Sequence, residues 1–187
     1  MNGRLWWYVS RSSGLVAWAL LAASTLWGLA LTTRAFSARA GLRRWLLDVH
    51  RFLSGLAVAF VAVHVAASVA DTFVHFGPAD VLVPLASSWH PTWVAWGVVS
   101  MYLLAAVELT SLLRRHLAHR LWRSVHALSF VLFVVATVHV LLTGPDTHAW
   151  ARWPVIVAGM AVAFLAMTRT VAPDRGRSRL VESRTRP

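Results

Sequence analysis

Five long apolar runs, bounded mostly by arginines, constrain this chain more than any other feature of its sequence. A helix of roughly 20 apolar residues spans the hydrocarbon core of a bilayer, and four of the runs are about that long. Because a backbone in lipid must satisfy its own hydrogen bonds, each run is expected to be helical. We therefore predict an all-α, polytopic membrane helix bundle with five transmembrane helices, which lie between Arg11 and Arg34, Arg51 and Asp71, His90 and Arg114, Arg123 and Asp146, and Arg152 and Arg169.

The first and last runs need separate arguments. A cleaved signal peptide is the alternative for the first, but the stretch between Arg11 and Arg34 exceeds the usual apolar core of about 7–15 residues. The fifth run, between Arg152 and Arg169, is the shortest of the five. Without this span, the arginine-rich C-terminal segment would lie on the side of the membrane that carries few other arginines. The arginine distribution therefore favours a fifth span.

The composition excludes several classes of protein. Charged residues make up 13% of the chain, about half of the ~25% typical of soluble proteins. The absence of cysteine excludes disulfides, thiolate metal sites, iron–sulfur clusters and covalently attached haem. The arginines border the apolar runs and form no surface stripe, so the lipid bilayer is an expected partner and nucleic acid is not.

The arginine counts predict the orientation of the chain. The segments 34–51, 114–123 and 169–187 hold five, four and six arginines, whereas the opposite side holds three. The positive-inside rule then places the N-terminus outside and the C-terminus in the cytoplasm. Arginine without lysine, with abundant Ala, Val and Leu, suggests a bacterial plasma membrane. We divide the chain into a transmembrane domain, residues 1–170, and a basic, disordered cytoplasmic tail, residues 171–187.

Four histidines lie in or at the edges of the second and fourth runs, where ionisable side chains are costly and mark candidate functional sites. His64 and His139 each stand seven residues before the aspartate that ends the run, and His50 and His126 lie beside the arginine that opens it. Both helices run from inside to outside, so the four side chains form two level pairs. The separation within a helix is about 21 Å for about 14 residues and about 20 Å for about 13 residues, which suits two stacked cofactors.

A b-type haem binds two imidazoles on opposite sides of its iron, supplied by facing helices. We predict two non-covalent haem b groups, with His50 and His126 as axial ligands of the inner one and His64 and His139 of the outer one. The alternative is four unrelated core histidines bonded to backbone carbonyls. On a straight helix, the spacing of His50 and His64 returns to within about 40° of one face, but that of His126 and His139 leaves them about 140° apart. The fourth helix then requires overwinding, a kink, or haems rotated relative to each other.

The same residues carry a resemblance to a known family. The pattern His-x13-His on one helix and His-x12-His two helices later resembles the ferric reductase/NADPH oxidase transmembrane domain. The unequal spacing is part of that family's pattern. The similarity covers roughly Arg11 to Thr168, and its matching segments are Arg11-Ser12-Ser13-Gly14, His50-Arg51-Phe52-Leu53-Ser54-Gly55 and Trp122-Arg123-Ser124-Val125-His126-Ala127-Leu128-Ser129.

The resemblance implies a membrane di-haem b cytochrome, an oxidoreductase component that carries electrons from a cytoplasmic donor to an outer-side acceptor. It also implies that Arg11, Arg51 and Arg123 contact the anionic haem propionates, although arginines there also serve as positive-inside flanks. The chain has no Gly-x-Gly-x-x-Gly, so no flavin or nicotinamide site is expected in it. A separate cytoplasmic flavin reductase or reduced-nicotinamide flavoprotein is the expected donor.

Two other interpretations stay open. The chain is also similar to the membrane haem subunit of the bacterial methionine-sulfoxide reductase system, which suggests a subunit serving a periplasmic reductase. The alternative of a different class is a non-redox membrane component, for partner binding or transport, with structural histidines. Haem content separates these classes.

Overall fold

The computed structural model describes residues 2–32, 40–143, 153, 155–162 and 164. Within these residues the regular elements are helical, which confirms the all-α prediction. Residues 155–162 are helical as well. The principal helices are α1 (Asn2–Thr32), α2 (Ala40–Ala70), α3 (Pro78–Leu82), α4 (Pro91–Leu112), α5 (His119–Ala127) and α6 (Ser129–Thr143), with a 3₁₀ turn at Arg114–His116.

Four helical segments of the described chain are long and apolar enough to cross a membrane. They are Leu5–Leu31, Gly41–Ala70, Pro91–Leu112 and His119–Thr143, the last formed by α5 and α6 together. A multi-pass bundle is therefore confirmed, but the count of five spans is not. The ends of the predicted fifth span, at 152 and 169, lie outside the described residues, as do positions 34 and 146 and the predicted tail 171–187.

The helices extend beyond the apolar runs that predict them. Each helix begins before the arginine that opens its apolar run: Arg11 lies inside α1, Arg51 inside α2 and Arg123 inside α5. Backbone hydrogen bonds propagate a helix past the edge of the hydrocarbon layer, where long arginine side chains reach water at the interface. The end of α2 is as predicted: Asp71 follows its last residue, is buried, and accepts a hydrogen bond from the backbone N–H of Phe73 at 3.2 Å.

The bundle consists of two antiparallel helix pairs, α1 with α2 and α4 with α6. A core cluster joins the pairs where Trp18 of α1 stacks on Phe133 of α6, with ring centroids 6.3 Å apart. The indole Nε1–H of Trp18 also donates to Thr137 Oγ1 at 3.0 Å. Val155 and Val162 of the C-terminal helical segment belong to the same cluster. These contacts leave α2 and α6 facing each other across the interior.

The fourth membrane segment is broken at Leu128, between its two histidines. Here α5 ends and α6 begins, and the Leu128 N–H donates to the carbonyl of Val125, three residues back, at 3.0 Å. An i→i−3 bond winds the chain more tightly than the i→i−4 bonds of an α-helix. The tighter winding at the break rotates the chain in the direction that the spacing of His126 and His139 requires.

Candidate site between two facing histidine pairs

The structure brings the four membrane histidines together in two pairs of facing rings. The ring centroids of His50 and His126 are 6.2 Å apart, and those of His64 and His139 are 6.4 Å apart. Both pairs have an interplanar angle of 79°. The pairing joins α2 to α5 at one level and α2 to α6 at the other, as the matched depths in the sequence predict.

Three of the four rings are held by a backbone carbonyl of the helix behind them. The His64 Nδ1–H donates to the carbonyl of Ser10 at 2.7 Å, and that of His139 donates to the carbonyl of Trp93 at 2.9 Å. His50 Nδ1 lies 3.1 Å from the carbonyl of Ser24. A hydrogen bond through Nδ1 selects the tautomer in which Nε2 is the available ligand atom. Unrelated structural histidines would also bond to backbone carbonyls. Such bonds do not explain why the four rings face each other in two pairs.

The fourth ring, His126, is held differently. Its Nδ1 lies 3.4 Å from the hydroxyl oxygen of Ser111. The indole of Trp122, one turn earlier on α5, stacks on the ring with centroids 5.2 Å apart and planes at 23°. The guanidinium of Arg114 covers the Trp122 ring at 5.4 Å. An aromatic contact therefore supports His126 in place of the strong carbonyl bond seen at His64 and His139.

An apolar cavity of about 370 Å³ surrounds the second pair, His64 and His139. Its walls come from both helix pairs, with apolar side chains such as Leu132 between the two histidine levels. Arg11 and the buried Asp71 are among the polar residues of the lining. A mostly apolar space with a few convergent polar groups is the usual form of a cofactor site.

The three arginines that the resemblance assigns to propionates occupy different environments. Arg11 lines the cavity of the second pair, and its guanidinium lies over the Trp7 ring at 4.7 Å. Arg51 is 63% exposed and forms an ion pair with Asp48 at 3.7 Å. Arg123 is exposed on α5, one turn before His126. Cavity geometry therefore favours Arg11 among the three, and propionate contact by all three remains a prediction.

Serine hydroxyl groups extend the polar contacts of the first pair, His50 and His126. Ser24 Oγ lies 3.1 Å from His50 Nδ1 and 2.9 Å from Ser54 Oγ. At the second pair, Ser10 Oγ bonds Ser68 Oγ at 2.7 Å.

These serines can be detected in the sequence. The helices α1 and α2 each carry a short motif twice, and the two copies are separated by the same number of residues as His50 and His64. On α1, Ser-x-x-x-Gly occurs at 10–14 and again at 24–28; on α2, His-x-x-x-Ser occurs at 50–54 and at 64–68. Since α1 and α2 are antiparallel, the first copy on α1 meets the second on α2. Matching the two spacings would have identified these serines.

Each pair offers two protein ligands to one position. Across the described segments, no group of three or more His, Cys, Asp or Glu side chains is arranged to hold a metal ion. Two imidazoles can bind one metal ion together with ligands from a non-protein group. This donor set is typical of a planar macrocycle held from both faces.

A family comparison agrees with this geometry. The family described as ferric reductase like transmembrane component matches residues 13–137, more than half of the chain. The chain belongs to this family. The matched part includes His50, His64 and His126 and ends two residues before His139. No curated protein and no solved structure matches the chain. A ferric reductase-like transmembrane domain is thus shown, and the role of each histidine in it rests on the geometry above.

Proposed function

We propose that this protein is a membrane di-haem b cytochrome that transfers electrons across the bilayer. The observation that carries the proposal is the presence of two facing histidine pairs, with ring centroids 6.2 and 6.4 Å apart, at two separate levels along α2. Ferric reductase-like transmembrane domains are generally haem-binding, and their family suggests transmembrane electron transfer.

The ring separations fit one metal ion between each pair. Imidazole nitrogens bind a metal at about 2.0 Å, and a ring centre lies about 1.1 Å from its nitrogens, so two rings in line on one ion have centres about 6.2 Å apart. The observed 6.2 and 6.4 Å agree with this value. His50 with His126, and His64 with His139, are therefore the residues that would hold the iron of two haem b groups.

Haem iron supplies one-electron redox chemistry when it is bound. The protein's own residues position and insulate it. The carbonyls of Ser10, Ser24 and Trp93 orient three imidazoles and raise their basicity through the Nδ1–H bond. With one histidine of each pair on either side, the chain's own side chains would hold the bound group and keep oxygen from its iron. Arg11 lines the cavity around the second pair, where its guanidinium would form a charge-assisted bond to a haem carboxylate.

The proposed direction of transfer follows from the arginine distribution. With the arginine-rich connections in the cytoplasm, the His50–His126 pair lies on the cytoplasmic side and the His64–His139 pair on the outer side of a plasma membrane. Arg114 and Arg115 are exposed shortly before α5, and Arg120 is exposed in its first turn. We propose that a separate cytoplasmic flavoprotein reductase docks on these residues and that an outer-side acceptor takes the electrons from the second pair.

The test is the absorption spectrum and haem content of the full chain purified in detergent. The proposal predicts sharp reduced α-band absorption and about two haems per chain. A His116→Ala variant is the matched control, because this exposed histidine contacts Arg115 at the surface and should leave the haem content unchanged. A folded wild-type protein without colour would contradict the proposal and favour a non-redox membrane component.

A further inference from the structure

Three of the four membrane histidines rest on the same local structure, which we call a carbonyl–glycine cradle. A cradle consists of a backbone carbonyl that faces Nδ1 and a glycine four residues later on the same helix, under the ring. The cradle of His64 is Ser10 with Gly14, that of His50 is Ser24 with Gly28, and that of His139 is Trp93 with Gly97.

The glycines are needed because the rings occupy the space of a side chain. A Cβ atom on Gly14 would lie 2.8 Å from His64 Nδ1, and a Cβ on Gly97 would lie 2.7 Å from His139 Cε1. Both distances are far below ordinary van der Waals contact, so the ring would have to move. On Gly28 the nearest approach is 3.4 Å, to His50 Cε1, and a methyl group there is nearly accommodated.

Close helix packing, the common reason for glycine in membrane helices, does not explain these positions. At Gly14, Gly28 and Gly97 the nearest atoms to an added Cβ belong to the imidazole rings. By contrast, a Cβ on Gly41 or Gly55 would meet no atom within 4 Å. The cradle glycines are therefore matched to the histidines and not to a neighbouring helix backbone.

We propose that Gly14, Gly28 and Gly97 are positioning residues that set the height and tilt of the histidine rings, and so decide whether two rings reach one iron. The proposal rests on the proposed di-haem function and goes beyond it. Each glycine lets its imidazole lie against the helix behind, where Nδ1 reaches the carbonyl and the ring centroid lies 6.2 to 6.4 Å from that of its partner. His126, which has no cradle, relies on Ser111 and Trp122 instead.

The experiment compares four glycine-to-alanine variants of the full chain by haem content and reduced spectrum. Gly14→Ala and Gly97→Ala should each weaken haem binding at the His64–His139 pair by about 10-fold or more, the cost typical of a lost supporting contact to a ligand. Their residual spectrum should match that of His139→Ala. Gly28→Ala should affect the other pair, and less strongly, because its contact is softer.

Gly41→Ala is the matched control, since it adds the same methyl group to α2 in open space, outside the part of the helix that carries His50 and His64, and should retain both haems. The unaffected histidine pair in each cradle variant reports that the bundle is folded. Gly14→Ala and Gly97→Ala with full haem content and wild-type spectra would overturn the positioning role and leave the di-haem function standing. Loss of both haems in these two variants alike would also overturn it, because positioning predicts a loss confined to one pair. A colourless wild type would overturn the proposed function and this inference together.

Discussion

His64 and His139 face each other with ring centroids 6.4 Å apart and ring planes at 79°. The angle is the same for His50 and His126, although one pair joins α2 to α6 and the other joins α2 to α5. In each pair one ring has its Nδ1 contact on α1 and the other has its Nδ1 contact on α4, although the contact of His126 is long, at 3.4 Å. Ring planes near perpendicular are therefore a property of the whole bundle.

This angle predicts the electron paramagnetic resonance of the oxidised protein. Two axial imidazoles with nearly perpendicular planes leave the iron d orbitals close in energy, which produces a strongly anisotropic low-spin ferric signal with one dominant low-field feature. Both haems should show it, because the supporting hydrogen bonds hold the rings in place. A rhombic three-line signal, as from parallel imidazoles, would contradict the geometry. The His139→Ala protein serves to assign the signal of the remaining haem.

Single histidine substitutions should remove haems by pair. His64→Ala and His139→Ala should each lose the same haem, while the other haem at least partly persists; His50→Ala and His126→Ala should lose the other one. The reason is that a bis-imidazole site needs both of its ligands. Redox titration of the α-band in each variant checks the assignment. Identical spectra for His64→Ala and His126→Ala would show that the pairs are wrong.

Trp122 should strengthen haem binding at the His50–His126 pair. Its indole stacks on His126, whose Nδ1 contact is the longest of the four, at 3.4 Å. Since an aromatic contact of this kind contributes about 0.5–1.5 kcal/mol, Trp122→Ala should weaken haem binding there by about 2- to 10-fold. Trp122→Phe should retain most of the affinity. Trp45→Ala, which removes an exposed indole from the Trp27 contact, is the control. Equal haem affinities in wild type and Trp122→Ala would contradict this role.

Docking of the donor should depend on arginines that the haem sites do not use. Arg115 and Arg120 are exposed, whereas Arg114 covers Trp122 and Arg123 lies one turn from His126. Replacing Arg115 and Arg120 together with Gln should slow haem reduction by a cytoplasmic flavin reductase without changing the spectrum. The difference from wild type should shrink at high salt, because the Debye length falls from ~10 Å at 0.1 M to ~3 Å at 1 M. A correctly inserted variant reduced at the wild-type rate at all salt concentrations would exclude docking at these residues.

The hydrogen bond between Trp18 and Thr137 should contribute to the stability of the bundle. Thr137 Oγ1 accepts the indole N–H of Trp18 and donates to the carbonyl of Phe133, whereas Thr110 Oγ1 donates to backbone carbonyls of its own helix. Thr137→Val should therefore lower the free energy of unfolding by about 1 kcal/mol more than Thr110→Val does. Thermal unfolding in detergent measures the difference. Equal losses of stability would show that the link between α1 and α6 contributes nothing.

Apolar length and arginine position in the sequence predict the four membrane segments that the structure describes and the relative depths of their histidines. Apolar length and arginine position vary along a single coordinate, the depth in the bilayer, and this coordinate can be counted in residues. His64 and His139 could therefore be matched from their distances to Asp71 and Asp146. Hydropathy marks the edge of the lipid and not the end of the hydrogen-bonded helix. The helices α1 and α2 therefore extend beyond the apolar runs that predict them.

The rotation of each histidine ring and the contacts that support it depend on how the helices pack together in three dimensions. The straight-helix argument predicts that the fourth helix is distorted or its haems rotated, and the structure places the break at Leu128, between His126 and His139. The cradle glycines became visible only when α1 and α4 were placed behind the rings, because each cradle joins residues 26 to 54 positions apart in the chain. The depth of a histidine in the bilayer depends on the transfer of its own segment into lipid. Which rings face each other, and which residues they contact, depends on packing between segments. Packing depends on pairs of residues that no local pattern in one helix records.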